Sequence, residues 1–298
     1  MNIELNTNKK KQMKYIYKKF LFLLTIVFTV ISCTEVIEMK LPEGEERLVV
    51  EANILWEKNT TGNEQEVKLS LTTPYYNVNE RKPVTDATVR IVNTTINETY
   101  SFTHDENGSY KTTSFEPNAN HDYLIRIVYK EEVYEGVERL MMVPEIQDIS
   151  QSLSEGQDDE VLEVKFFYQD AADEENYYLT GFKSQRDLFT TYDLTKDEFI
   201  NGNLIKETWE KIDDEDTNEN EELRKDDVVS IIHQGISRQY YVYMNILINQ
   251  YSSGQGGSPF QAIPVKLKGN IVNVTNKDNY CHGYFSVSEV SKAVYTVQ

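Results

Sequence analysis

Cysteine is nearly absent from this 298-residue chain, which holds only Cys33 and Cys281. If one of the two is taken up by other chemistry, no intrachain disulfide can form, and stability must come from packed cores. Histidine is scarce too. His104, His121, His233 and His282 lie scattered, and no His-Glu-x-x-His spacing sets two zinc ligands on one helical face. No Gly-x-Ser-x-Gly elbow occurs. Gly254-Gln255-Gly256-Gly257 is glycine-rich, but it follows a helical pattern instead of opening one, so its amides lack the helix N-terminus that phosphate binding exploits. Basic residues are outnumbered, 30 against 49 acidic. Nucleic-acid binding needs Lys and Arg to neutralise phosphates and leaves a clustered basic footprint; no such cluster is visible, which excludes that class of partner.

Long apolar runs are also missing, with one exception. Lys9 to Lys11, Lys14, Lys18 and Lys19 precede Phe20-Leu21-Phe22-Leu23-Leu24-Thr25-Ile26-Val27-Phe28-Thr29-Val30-Ile31. A basic segment followed by about a dozen apolar residues reads as a signal peptide, since a bilayer-spanning helix needs about twenty. The run closes on Val30-Ile31-Ser32-Cys33, which resembles the bacterial lipobox: an aliphatic residue, a small residue and a cysteine. The resemblance implies cleavage after residue 32 and lipidation of the Cys33 thiol. Removing residues 1–32 takes away six basic residues and one acidic residue, leaving 24 against 48. So acidic a surface would be repelled by anionic headgroups, so the lipid alone is expected to hold the chain to a membrane.

The rest of the chain is expected to be mainly β. Twenty Tyr and many Val, Thr and Ile stand in short alternating runs broken by Asn, Gly and Asp. Residues 33–46 read as a polar tether. A first β-sandwich is expected over 47–145, beginning with Leu48–Leu55 and Val67–Thr72. It continues through Pro83–Val92, Thr99–Thr103, Tyr123–Tyr129 and Val133–Val137, with Asn107-Gly108 supplying a tight hairpin turn. A C-terminal β-rich domain is expected over 146–298, with strands near 161–168, 177–182 and 228–233, an acidic insertion at 193–227 and final strands in the tail. One helix is expected near 237–251: Ser237 can cap it, and Tyr240, Tyr243, Met244, Leu247, Ile248 and Tyr251 keep its period. That stripe reads as core packing. Cys281, in a strand-like run, reads as a buried inert thiol, because His282 beside it would point to the opposite face.

The order Pro83-x-x-Asp86-Ala87-x-Val89, Asn107-Gly108-x-Tyr110 and Tyr123-x-Ile125-x-Ile127 resembles the transthyretin-like and carboxypeptidase-regulatory-like sandwiches, an Ig-like architecture. More of the chain enters a second resemblance. The lipobox, Leu48-Val49-Val50-Glu51, Met142-Val143-Pro144, Asp170 with Asn176-Tyr177-Tyr178, the Tyr-rich helix, Gly269-Asn270-Ile271 and Gly283-Tyr284-Phe285-Ser286 occur together in one family. They resemble the Bacteroidota outer-membrane lipoproteins known as domain of unknown function 4249, usually encoded beside TonB-dependent receptors. The sequence departs from that pattern at Ser258-Pro259-Phe260 and in the acidic insertion. The resemblance implies an outer-membrane, lipid-anchored chain whose partner is a TonB-dependent receptor, Glu35 and Glu38 after Cys33 are compatible with exposure at the surface, and no active site is transferred.

Candidate chemistry is sparse. Asp214 to Glu222 places oxygen donors at alternate positions like an EF-hand loop, but position six is Glu219 instead of Gly and position twelve is Lys225 instead of Glu. Asp170, Asp173, Glu174 and Asn176 form a second oxygen cluster between strands, the candidate set for weak calcium binding. The competing reading is an ordinary loop in which Asp170 and Asn176 bond their own backbone. Trp56, Trp209, Tyr75 and Tyr76 fall in or near expected loops, where aromatics can stack on glycans. The expectation is therefore a non-enzymatic lipoprotein with no cofactor, acting as accessory to a TonB-dependent transporter in nutrient capture. The alternatives are a stand-alone glycan- or peptide-binding surface protein and a cryptic hydrolase. The latter would need Asp, Glu and His brought together in one cleft.

Overall fold

The structure is a computed structural model that describes Met13, residues 17–19, 45–74, 81–156, 159–172, 174–198, 201–211, 222–254 and 267–298. The chain divides into Met1–Gly44 and Glu45–Gln298, and the second unit carries the fold described below. Cys33, the apolar run before it, Asp173, Tyr75, Tyr76, Ser258-Pro259-Phe260 and the EF-hand-like stretch up to Glu221 lie outside the described residues. No helix among the described residues is long and apolar enough to cross a membrane.

The unit is mainly β, as its alternating Tyr, Val, Ile and Thr dictate. In chain order the strands are β1 Leu48–Glu57, β2 Gln65–Leu71, β3 Lys82–Pro83, β4 Thr88–Asn93, β5 Glu98–His104, β6 Ser109–Thr112, β7 Asp122–Tyr129 and β8 Glu132–Arg139. They continue as β9 Gln147–Ser152, β10 Glu163–Gln169, β11 Tyr177–Ser184, β12 Thr191–Lys196, β13 Leu204–Glu210, β14 Val228–Gly235, β15 Ile271–Asn273 and β16 His282–Thr296, with the helix α1 Arg238–Gly254 between β14 and β15. One sheet runs β12-β11-β14-β16-β1-β2-β6-β5-β4-β7-β8-β15, with β3 added to β2; a second holds β13-β10-β9.

The long sheet curls on itself. β5 pairs with both β4 and β6, and the sheet folds back until Met141 bridges Ser288, with the Met141 amide donating to Val287 O (3.2 Å) and the Glu289 amide to Met141 O (2.8 Å). Inside the curl lies an apolar core: Val50, Ile54, Val67, Leu69, Val89, Ile91, Ile125, Ile127, Phe115 and Tyr134, joined from the tail by Ile271, Cys281, Phe285 and Val287. Period-2 alternation sends these side chains to one face. Asn107 and Gly108 both take positive φ (48° and 77°), as the hairpin between β5 and β6 requires. A Cβ at Gly108 would sit 2.2 Å from Leu69 O, so only glycine fits.

A second core fills the space between β11-β14-β16 and the three-stranded sheet, from Val164, Phe166, Tyr168, Tyr178, Phe182, Ile205, Trp209, Val229, Ile231 and Val297. The change from one core to the other falls between Leu140 and Val143, close to the expected boundary at 145, but residues 271–287 return to the first core. The stretch 193–227 is more than an acidic insertion, since it supplies most of β12 and all of β13. In β13 the alternation of Ile205, Glu207 and Trp209 turns them inward. Trp209, expected in an exposed loop, is buried and stacks on Phe182 (5.2 Å between centroids, 5° apart). Trp56 closes β1, half-buried, and its indole N–H donates to Thr60 O (3.0 Å).

β16 joins the two halves. Residues 282–290 pair in parallel with β1, and 290–296 pair antiparallel with β14. Its residues 284–291 are buried without interruption, because both faces of the strand are covered.

Candidate functional site

Helix α1 begins at Ser237, whose hydroxyl accepts from the Tyr240 amide (3.1 Å), and the expected cap is therefore in place. The helix covers β11 and β12, and Tyr240 and Met244 pack with Tyr177, Leu179, Ile236 and Tyr284. The Tyr240, Met244, Leu247, Tyr251 stripe is only half core. Tyr240 and Met244 are buried, while Leu247 and Tyr251 are 38% and 66% exposed. Beside the helix runs a groove of about 280 Å³ in which Tyr192, Tyr240, Tyr243 and Tyr284 meet Asn53 and Gln234. Tyr284 lies 4.7 Å from Tyr240 and 4.8 Å from Tyr243 between ring centroids.

Polar groups line that groove in an ordered way. Asn53 Oδ1 accepts from the Ser286 hydroxyl (2.9 Å) and the Tyr240 hydroxyl (3.4 Å). Under the helix start, the buried Glu138 carboxylate accepts from the Ser237 hydroxyl (3.0 Å), the Tyr284 hydroxyl (3.1 Å) and the Arg139 amide (3.1 Å). Burial raises its pKa, and the hydrogen bonds partly offset that rise. Both oxygens are committed to protein donors, so Glu138 orients the helix and Tyr284 and is not poised for proton transfer. The groove thus presents aromatic faces together with a few fixed amide and hydroxyl groups.

The second core holds one of the four scattered histidines together with several buried carboxyls. His233 is fully buried between Phe166, Tyr168 and Tyr178, its Nδ1 2.9 Å from Thr180 Oγ1, and burial pushes its pKa down to about 3. It is therefore a neutral core imidazole. Glu207 accepts from the Tyr168 hydroxyl (3.0 Å) and the Thr195 hydroxyl (2.5 Å), and burial raises its pKa. Asp170 accepts from the Tyr178 hydroxyl (2.5 Å) and the Gly202 amide (2.9 Å). Asp, Glu and His are thus brought into one region, but into a packed core instead of a cleft. The tyrosine hydroxyls there are held protonated by burial and by the neighbouring carboxylates.

Of the expected calcium set, Asp170 and Asn176 are buried and Glu174 is exposed. With its amide nitrogen turned toward them, Asn176 donates to the Ala171 and Glu174 carbonyls (3.2 Å each), which closes the 170–176 turn on itself. The residue that sequence reasoning missed is Asp197, which follows β12 and reaches the same place from the other side. No spacing could have paired it with Asn176, since that contact depends on two turns at one end of the core. Among the described residues no three His, Cys, Asp or Glu side chains converge. Cys281 is buried, its thiol donating to Ile271 O (3.4 Å), and burial pushes its pKa up to about 12.

A family model described as Domain of unknown function (DUF4249) matches residues 34–293. No curated protein matches the chain. Among solved structures, the chain is similar to the FN1-FN3 domains of chicken CNTN1 at 9% identity, with a TM-score of 0.23. The likeness covers 63% of this chain and 62% of that one, so the chain spans less than two thirds of that structure's length. At that level it carries no argument about function.

Proposed function

This chain belongs to the family described as a domain of unknown function (DUF4249), and from that premise we propose that it is a non-enzymatic outer-membrane lipoprotein. It is anchored through Cys33 and serves as binding partner of a TonB-dependent transporter in nutrient capture. The observation that carries this reading is the junction at residues 20–33, where a basic and then apolar leader ends on Val30-Ile31-Ser32-Cys33. Stable membrane attachment through lipid takes more than one chain, so Cys33 is expected to carry more than one acyl group. The acidic unit beyond residue 44 is then held at the membrane by the lipid and meets its partner through its own surface.

Two features support a binding role. The tyrosine-lined groove beside α1 offers stacking faces, and Leu247 and Tyr251 extend its helix stripe into solvent. Leu188 and Phe189, at the turn between β11 and β12, are 84% and 77% exposed, an unusual placement for large apolar side chains unless something covers them. The same groove favours, as a second reading, a stand-alone surface protein for glycans or peptides.

The test is an affinity pull-down of the tagged lipidated protein from its native outer membrane in mild detergent, followed by mass spectrometry, with Cys33→Ala as control. Recovery of a TonB-dependent receptor in near-equal amount, stable to a salt wash, is the expected result. A folded, membrane-bound protein that brings down no receptor removes the support for the transporter role. Binding of a purified glycan or peptide by the isolated protein would then establish the second reading.

A further inference from the structure

The strands beneath α1 have two faces. Leu179, Gln234 and Tyr284 point to the helix side, alternating with Tyr178, His233 and Phe285, which point into the cores. With Asn53 of β1 they floor the groove beside α1, which therefore crosses the neighbouring strands β11, β14, β16 and β1. Three strand spacings of about 4.8 Å make that floor roughly 14 Å long. At its β11 end the Tyr192 ring leans over Gly181, its cross-strand partner, where a Cβ would come within 3.2 Å of the ring. From the helix, Tyr243 packs on Tyr284.

Several polar groups in the groove are unspent. Gln234 is only 7% exposed, yet its side-chain amide has no hydrogen-bond partner among the described residues. Asn53 gives its oxygen to the Ser286 and Tyr240 hydroxyls and keeps both amide hydrogens. The Tyr192 and Tyr243 hydroxyls also lack partners among the described residues. A buried amide left unpaired is a cost that folding does not recover, and a ligand that supplies the missing partners accounts for it.

We propose that this groove binds a short, uncharged oligosaccharide, with its rings stacked on Tyr192 and Tyr243 and its hydroxyls bonded to the Gln234 and Asn53 amides. A pyranose has an apolar C–H face to lay on an aromatic ring, and each hydroxyl both donates and accepts, as the two ends of an amide require. No lysine or arginine lines the groove among the described residues, and its one charged side chain, Glu51, is ion-paired with Arg81, so an anionic sugar meets no counter-charge. An extended peptide binds by adding to a free strand edge, but all four floor strands are flanked by partners in the sheet. A helical peptide needs an apolar trough and would bury the Gln234 and Asn53 amides unpaired. The inference names the ligand class of the groove that supports the binding role above and rests on that role, but it does not require the receptor.

The experiment is titration calorimetry of the full lipidated chain in a detergent without a sugar head group. The probes are maltotetraose, cellotetraose, laminaritetraose and mannotetraose, with tetragalacturonate and tetra-alanine as acidic and peptide counterparts. At least one neutral tetrasaccharide should bind once per chain with a Kd of about 0.1–1 mM. Tyr192→Ala, at a ring 45% exposed, should weaken binding about fivefold. Gln234→Leu should weaken it about tenfold yet melt at or above the wild type, because it removes an unpaired buried amide; that Tm also shows that the variant folds. Ile96→Ser, in the exposed turn between β4 and β5, should bind as the wild type does. No neutral tetrasaccharide bound at about 10 mM overturns the proposal, as does binding that survives both groove substitutions. Tetra-alanine or tetragalacturonate bound as tightly as the best neutral sugar also overturns it. So does a Gln234→Leu chain that melts below the wild type, since the amide would then serve the fold. The two readings fail separately: a chain that recovers a receptor but binds no sugar loses only the glycan, and one that binds sugar but recovers no receptor loses only the receptor.

Discussion

The two cores are built from the same β-rich vocabulary but tolerate different contents. The first, inside the curl of the long sheet, is filled by aliphatic and aromatic side chains, with uncharged polar groups buried beside them: Asn93 bonds His121 and Tyr123, and Tyr110 reaches Val84 O. The second buries Asp170, Asp197, Glu163, Glu207, His233 and Thr180 among its aromatics. An apolar core needs only volume and period, whereas each buried ionisable group needs a named partner. The second core is therefore the one whose stability depends more on pH, and β16 couples it to the first.

The largest effect should come from breaking that coupling. Gly283 sits at a φ of +100°, and a Cβ there would lie 1.8 Å from Val50 O, where β16 meets β1. Gly283→Ala should cost on the order of 4 kcal/mol or more. A melt by both near-UV circular dichroism and Trp209 fluorescence should show the two cores failing together. Independent loss of one signal would mean the cores are separate folding units.

Next in size are two cavity substitutions, one in each core. Phe285→Ala in the first and Phe166→Ala in the second remove fully buried rings and should each cost about 3–5 kcal/mol in urea unfolding. If β16 couples the cores, both variants unfold in one transition with an unchanged m-value. A biphasic curve in either would break the comparison.

A smaller effect separates the cores by pH. Burial raises the Glu207 pKa above its ordinary 4.5, so the folded state holds a proton that the unfolded chain has released. Its contribution is present below 4.5 and lost as pH rises through the elevated value. Glu207→Gln should therefore flatten the decline in stability that sets in as pH rises above 4.5. His233 works with the opposite sign: its folded pKa near 3 means that stability falls as pH drops below 6.5. No comparable change in slope should follow Val89→Ala in the first core, which alters volume and not charge. An unchanged slope in Glu207→Gln would mean that its carboxyl is ordinary in the fold.

The smallest stability effect is expected at the surface. Leu247→Ser with Tyr251→Ser should change the unfolding free energy by about 0.5 kcal/mol or less. If this end of the helix meets a partner, receptor recovery in the pull-down should fall sharply. Loss of stability without loss of recovery would assign the stripe to packing alone.

Much of the fold was legible because its causes are local. The alternation of Val89, Ile91, Ile125 and Ile127 specifies inward faces, Asn107-Gly108 specifies a turn, and Ser237 specifies where α1 starts. Trp209 and the stretch 193–227 misled because acidic composition hid a strand: Lys206, Thr208 and Glu210 alternate with Ile205, Glu207 and Trp209, and Glu207 faces inward because Tyr168 and Thr195 supply donors. The run of oxygen donors around Asp170 was visible in the sequence, and the approach of Asp197 to Asn176 was not.

By itself the sequence determined the β class, the helix, the hairpin turns and the acidic charge, because period, turn residues and composition act over a few neighbouring positions. Only the tertiary structure decided that the tail returns as β16 to join both cores, that Glu138 lies beneath the helix start, and that Asp197 meets Asn176. Those contacts bring together residues that are far apart in the chain, and they follow from which strands pair, a choice that no local pattern encodes.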